Sequence, residues 1–413
     1  MEDIKAFNTN GLTIKVCITY LVLAIVFLGV LRPSFFEGTI GICFRVMCLV
    51  IGMIFIIYHL KFREMINMSM VYVIPVIISC IYNYMYKGLN FSNLINGIQY
   101  ALCIYEVYTM FMYCNHKNAK RFKEVLCGIC GFYCLMSAIT VFIFGKSFLY
   151  SNSYFIGSKY MVSYIMMLYI GLKYHLNEET YKSNKREYYK FVCVFLMCEA
   201  VIWYANCMTG FSALFLIFVL LHVTDKVRKI LSEPAVILLF LILSMLIIFI
   251  IPSLLKLKIV QFIVQDIMGK DLTLTDRLRY YSKAGEVFRL GGIWLGYGYE
   301  SNVMRDNIGL GTNIQNGLAH IMLSYGIIGT LGLLFMLFRS VKVSGASDGI
   351  LFFENRKASN WPLYAVIYGF ILAAVAEVSL SFVFFITICI IRWSDNNLGF
   401  EKNLKKHRIK FVL

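Results

Sequence analysis

Arg277 and Arg279 stand two residues apart in Thr275-Asp-Arg-Leu-Arg-Tyr280-Tyr281, and Lys283 follows three residues after Tyr280. A guanidinium fork can pair with two oxygens of a phosphate and stays protonated at any working pH, so this cluster suits an anionic ligand or leaving group. Thr273 or Thr275 can cap a helix from about Asp276 to Leu290, with Gly291-Gly292 as its stop. On that helix Arg277 and Tyr281 lie four apart and share a face, while Leu274, Leu278, Tyr281, Val287 and Phe288 supply a partial apolar stripe. The expected element is an amphipathic helix resting on a membrane face.

Glycines interleaved with aromatics come next, in Gly292-Ile-Trp294-Leu-Gly296-Tyr297-Gly298-Tyr299. Gly296 and Gly298 permit tight turns and close backbone approach, and Trp294, Tyr297 and Tyr299 offer flat faces to sugar rings or to the bilayer interface. A glycine-rich phosphate loop is excluded, since no strand precedes the stretch and no Gly-Lys-Ser/Thr follows it. Farther on, Gln315 and Asn316 open an apolar run, with His320 one turn deeper. Polar groups at such a mouth mark a pathway or site, or serve as interhelical partners. Arg45, Glu106, Glu199 and Glu377 lie inside apolar runs and must face a bundle interior or an aqueous cavity; Arg45 and Glu377 fall near the same mouth, as an ion pair or as ligand contacts. No metal or other cofactor is implied, because Asp271, Asp276 and Glu286 form no paired-carboxylate signature and the chain has no Asp-x-Asp. Cys127, Cys130 and Cys134 share a helix face without a second pair or a histidine to complete a site, and the thirteen cysteines read as small hydrophobes.

The elements that position these residues are membrane-spanning helices. Of 413 residues, 60% are hydrophobic and 15% charged, and the mean hydropathy is +0.72. A single soluble core could not bury so much apolar surface. Apolar runs at roughly 13–31, 39–60, 67–86, 94–114, 125–144, 160–175, 190–207, 209–224, 234–255, 316–338, 362–379 and 381–393 give an all-α polytopic membrane protein of about twelve transmembrane helices. Residues 1–255 would hold the first nine, 256–315 one large extracytoplasmic loop with the amphipathic helix, 316–393 the last three, and 394–413 a basic cytoplasmic tail.

The net charge of +16 is mostly an orientation signal. Alternate connections carry Lys61 and Arg63, Lys117 to Lys123, Lys173 to Lys190, Lys226 to Lys229, and Arg339 to Lys357, and the tail adds five more basic residues. The intervening short loops hold only Arg32, Lys87, Lys146 and Lys159. This bias puts both termini in the cytoplasm. Nucleic acid is excluded as a partner, since the basic residues are scattered among spans without a basic helix or an aromatic-basic repeat.

An arginine-bearing helix closed by Trp294-Leu-Gly296-Tyr-Gly298-Tyr, a polar pair Gln315-Asn316, and Gly326-Ile-Ile-Gly329 within the next span together resemble the O-antigen ligase and polymerase (Wzy-like) superfamily over residues 270–335. The resemblance implies a membrane-embedded glycosyltransferase at the outer face of a bacterial plasma membrane. Its donor and acceptor would both be undecaprenyl-diphosphate-linked oligosaccharides, the donor glycan passing to a hydroxyl of the acceptor, with a chain-length regulator and a flippase as further partners. By the same likeness Arg277 and Arg279 are catalytic. Arg45, Tyr280, Tyr281, Lys283, Trp294, Gly296, Tyr297, Gly298, Tyr299, Gln315, Asn316, His320 and Glu377 are the candidates for substrate contact. Two positions depart from the family pattern: Gln315 stands where many members have histidine, and Phe211 in Met208-Thr-Gly-Phe-Ser where many have arginine. The leading function is a polysaccharide polymerase. The rivals are a ligase that moves glycan to another acceptor and a transporter of the same lipid-linked unit, which would be expected to show two similar halves.

Overall fold

The computed structural model describes residues 18–36, 38–144, 154–254, 257–262, 281, 283, 285–288, 292–302, 306, 314–344 and 360–393. The described residues are helical, with no strand beyond one isolated bridge between Tyr154 and Gly157. In chain order the helices are α1 (Ile18–Val30), α2 (Gly38–His59), α3 (Phe62–Met65), α4 (Met70–Tyr86), α5 (Phe91–Phe144), α6 (Lys159–Ser183), α7 (Lys185–Tyr204), α8 (Met208–Leu221), α9 (Asp225–Leu231), α10 (Pro234–Leu254), α11 (Lys258–Phe262), α12 (Gly317–Ser344), α13 (Trp361–Ala374) and α14 (Phe382–Trp393). Among the described residues α2, α5 and the Gly317–Lys342 part of α12 are each long and apolar enough to cross a membrane; Asp225–Leu231 with Pro234–Ile250, bent by 68°, makes a fourth if taken as one span. Ile18–Val30, Met70–Tyr86, Met208–Leu221, Trp361–Ala374 and Phe382–Trp393 are shorter apolar helices. The chain is thus an all-helical, multi-pass membrane protein.

Helix α5 is a hairpin. Asn118 leaves helical geometry (φ −161°, ψ 97°) and its side chain accepts a hydrogen bond from the Arg121 amide, capping a second helix. Phe111 and Phe122 would be separated by about 16 Å along one continuous helix, yet their ring centroids are 5.0 Å apart. The chain therefore reverses at the basic stretch Lys117 to Lys123, where the sequence breaks its apolar run.

Burial sorts the helices into layers. Helix α13 is buried nearly throughout, and it packs on α8, α6, α14 and α10. Outer helices expose apolar stripes instead: Ile40, Met47, Ile54 and Ile57 on α2, or Leu239, Leu243, Leu246 and Phe249 on α10. Water would not tolerate faces of that size, whereas lipid requires them.

The basic connections gather at one end of the bundle. There Lys123 Nζ meets His175 Nε2 at 3.2 Å, Arg228 pairs with Glu178 at 3.4 Å, and Arg392 donates to the Arg339 carbonyl. Arg228 also donates to the Leu221 and Val223 carbonyls, closing the end of α8. The opposite end joins the remaining connections: the Ser34 amide donates to the Phe155 carbonyl, Lys159 to the Asn206 carbonyl and Asn93 to the Glu300 carbonyl. It is called the loop end below.

Fully buried Trp361 opens α13 at the basic end and donates its indole N–H to the Leu220 carbonyl at 2.7 Å. Replacing it by Phe leaves that carbonyl with the long 3.4 Å bond from the Val223 amide in an apolar setting. Trp361→Phe is expected to cost about 1–3 kcal/mol, seen as a lowered thermal midpoint of the detergent-solubilised protein. An unchanged midpoint would show that the bond carries no net stability.

Candidate functional site

At the loop end the backbone of residues 292–300 is sewn into helix α12. Gly326 takes φ 67° and ψ −168°, a conformation open to glycine, and breaks the helix. Across the break the Tyr297 amide donates to the Leu323 carbonyl and the Gly298 amide to the Ser324 carbonyl, both at 2.9 Å. In return the Ile327 amide donates to the Ile293 carbonyl at 2.8 Å. Ser79 of α4 donates from its hydroxyl toward the Leu295 and Ser324 carbonyls, pinning both chains to one helix. A Cβ on Gly296 would stand 2.4 Å from Ser324 backbone atoms, and one on Gly326 2.2 Å from the Trp294 carbonyl oxygen. The two glycines allow two backbones to touch.

The candidate residues on this loop divide by what they hold. Buried Tyr297 donates to the Val287 carbonyl at 2.7 Å, and the buried Tyr281 hydroxyl lies 3.1 Å from the Val375 carbonyl and 3.2 Å from that of Gln315. The described residues 281, 283 and 285–288 are helical, with Tyr281 and Val287 inward in a cluster with Ile248, Ile314, Ala319 and Leu323. Asn316 is fully buried: its amide donates to the Ser244 carbonyl at 2.8 Å and its oxygen caps α12 at the Ala319 amide. These phenol and amide groups fasten the loop to α10, α12 and the end of α13. Trp294 is 67% exposed, Lys283 half-buried, and His320 half-buried with no hydrogen bond at Nδ1. Gln315 takes a positive φ of 51° and Glu300 one of 45°, sparsely populated for residues with side chains. Arg277, Arg279 and Tyr280 lie outside the described residues.

Tyr299 and Glu300 form the turn that meets α2 and α5. The Tyr299 ring is 5.5 Å from Tyr100, itself 4.9 Å from Phe382 at the start of α14. Glu300 reaches the surface but is crowded on its inner side. That partial burial raises its carboxyl above the usual carboxylate range, against the opposing pulls of a hydrogen bond from Tyr299 and the charge of Arg45. Glu300 is thus an acid within the field of Arg45. Glu377 lies buried after α13, its amide bonded to the Ala373 carbonyl.

Arg45 also belongs to a feature that its neighbours in sequence do not announce. With Arg32, Ser34, Gly157, Ser158 and Phe382 it lines a cavity of about 210 Å³ at the loop end. A Cβ on Gly41 would lie 2.3 Å from a terminal nitrogen of Arg32, so that guanidinium rests on α2 one turn before Arg45. Buried Nε of Arg45 has no hydrogen-bond partner. Two guanidiniums over one helix face, with Ser158 also in the lining, make a small compartment suited to an oxygen anion. The sequence signal for Arg32 was its charge in a connection of the sparsely basic set.

No protein-family model, curated protein or solved structure matches the chain.

Gly326→Ala forces a side chain into a glycine-only conformation and against the Trp294 carbonyl, a cost of about 3 kcal/mol or more. Loss of a monodisperse peak in detergent, or a sharply lower thermal midpoint, is expected; wild-type stability would mean that the two backbones are not paired. For Glu300 the folded-state carboxyl titrates above its unfolded value. Its stabilising contribution is complete below the ordinary carboxyl pKa of about 4.3 and is lost as the pH rises through the raised value. Glu300→Gln should accordingly raise the thermal midpoint at neutral pH and leave it unchanged near pH 4, and a lower midpoint at neutral pH would contradict this.

Proposed function

We propose that the chain is a polysaccharide polymerase that joins undecaprenyl-diphosphate-linked oligosaccharide units at the outer face of a bacterial plasma membrane. In this reading about twelve helices cross the bilayer, the basic end and both termini are cytoplasmic, and the loop end faces out. The observation that supports it is the cavity lined by Arg32 and Arg45, at the end of the bundle that holds the candidate loop. Polymerisation needs a hydroxyl of one glycan to attack the anomeric carbon of another. The bond from that carbon to the diphosphate breaks, its electron pair stays on the phosphate oxygen, and the hydroxyl proton leaves to a base or to water. Guanidiniums stabilise the departing diphosphate, each well-placed donor contributing on the order of 3 kcal/mol. Arg45 and Arg32 are suited to this task by position. Arg277 and Arg279 are assigned to it by resemblance, with Gln315 in place of the family histidine.

A ligase would use the same chemistry on a different acceptor. The break at Gly326 gives the transporter reading its one specific support, because transporters commonly build substrate sites from broken helices. Here, however, the amides and carbonyls freed at the break are taken up by residues 293–298. They are not left to coordinate cargo, which favours the transferase.

Proteoliposomes given a synthetic undecaprenyl-diphosphate oligosaccharide should release undecaprenyl diphosphate and accumulate longer glycans. Arg277→Ala should abolish elongation, and Arg45→Gln should slow it by roughly 100-fold. Movement of the intact lipid-linked unit across the bilayer without elongation would replace this reading by transport, and transfer only to a non-identical acceptor would replace it by ligation.

A further inference from the structure

A second cavity at the loop end, of about 330 Å³, lies between the end of α4, the start of α5 and the segment after Gly298. Its walls are of a different kind from those of the arginine compartment. Four asparagines, Asn83, Asn90, Asn93 and Asn302, line it with Ser301, and its two charged residues, Lys87 and Asp306, are of opposite sign. Lys87 Nζ stands 5.2 Å from the centre of the Tyr297 ring, so that face of the ring is already covered.

A carboxamide both donates and accepts, as a sugar hydroxyl does, and four of them around one cavity can match hydroxyls of either sense. The balance of Lys87 against Asp306 gives no preference for an anion. The size falls within the range of about 300–1,000 Å³ found for small-molecule sites. One wall group also lacks a partner. Asn83 is 1% exposed and donates its amide to the Ser79 carbonyl, while its Oδ1 accepts no hydrogen bond. A buried acceptor left bare is costly unless a ligand or water satisfies it.

We propose that this asparagine-lined cavity binds uncharged sugar rings of the acceptor glycan. The acceptor role rests on the polymerase reading, whereas saccharide binding itself does not. Asn93, on the cavity wall, donates to the Glu300 carbonyl at 3.0 Å, and Glu300 senses the charge of Arg45 in the other compartment. The Tyr299–Glu300 turn therefore stands between a polyhydroxyl site and an anion site. Ser79, which receives the Asn83 amide on its carbonyl, holds the sewn loop through its hydroxyl, so the cavity floor and the broken helix share one residue.

The test uses the full chain in lipid nanodiscs and saturation-transfer NMR with lipid-free saccharides. The probes are neutral di- to tetrasaccharides of hexoses and N-acetylhexosamines, each alongside a uronic acid counterpart. Neutral saccharides should receive saturation and the uronates less, and Asn302→Ala and Asn90→Ala, both at the cavity mouth, should each weaken binding by roughly tenfold. Absence of transfer to every neutral probe, or binding indifferent to both variants, would overturn the proposal, as would a preference for the uronates. The elongation assay separates the two claims. Elongation that proceeds normally in Asn302→Ala and Asn90→Ala, with no saccharide binding, sinks the cavity and leaves the polymerase standing. Variant-sensitive saccharide binding without elongation sinks the polymerase and leaves a saccharide site.

Discussion

A backbone amide or carbonyl inside an apolar bundle has no water to turn to, so every break in a helix must be repaired by protein. Helix α12 breaks at Gly326, and residues 293–298 are the repair. Much of the loop end follows from that one exchange. The loop must run deep beside α12, and glycine must stand at 296 and 326 because any larger residue would separate the two backbones. It also brings Tyr299 and Glu300 against α2 and α5, where they divide the two cavities. Ser79, Tyr281, Tyr297 and Asn316 then serve as fasteners, each bonding to main-chain groups of another segment. Residues that look from their types like ligand contacts thus hold main chain to main chain.

Charge separates the two ends of the molecule. The basic end joins its connections through Arg228–Glu178, Lys123–His175 and Arg392 to the Arg339 carbonyl, and in the cavity there Lys120 has Glu124 in the same lining. At the other end the described basic residues are few: Arg32, Arg45 and Lys87 line cavities, and Lys159 ties two connections by donating to the carbonyl of Asn206. An orientation bias needs only the sum of charges on each side. A basic residue on the sparse side adds nothing to that bias, which makes its position informative about a local role.

That asymmetry also explains how much of the protein was legible in its sequence. The helices were, because apolar runs of span length leave little else to fold into, and the reversal in α5 coincides with Lys117 to Lys123. The close approach of Gly296 could be read from glycines alternating with aromatics. The break at Gly326 could not, since glycine is common in membrane helices and Gly326-Ile-Ile-Gly329 scans as continuous. Neither cavity could be assembled from local patterns: one joins residues 32, 45 and 158, the other residues 83–93 with 297, 301, 302 and 306. Each wall comes from connections far apart in the chain, and only the crossing of helices makes them neighbours. The stretch around Arg277 was conspicuous for the opposite reason, being short and locally dense in cations.

The two cavities bear on how a transfer between glycans would be arranged. Both substrates of such a polymerase are diphosphate-linked, and they differ in the end that reacts: the donor brings its diphosphate end to the site, the acceptor a sugar hydroxyl remote from its own diphosphate. A site that must hold them in fixed order needs one compartment that rewards negative charge and one that does not. Arg32 and Arg45 have no described carboxylate lining their cavity with them, while Lys87 has Asp306 in its own. A donor placed the wrong way round would leave its diphosphate among carboxamides beside an acidic side chain, and its sugars would face guanidiniums they cannot neutralise. The cost of that exchange is electrostatic and falls on the wrong arrangement alone. The order of the two substrates can therefore be set by charge before any sugar is recognised in detail.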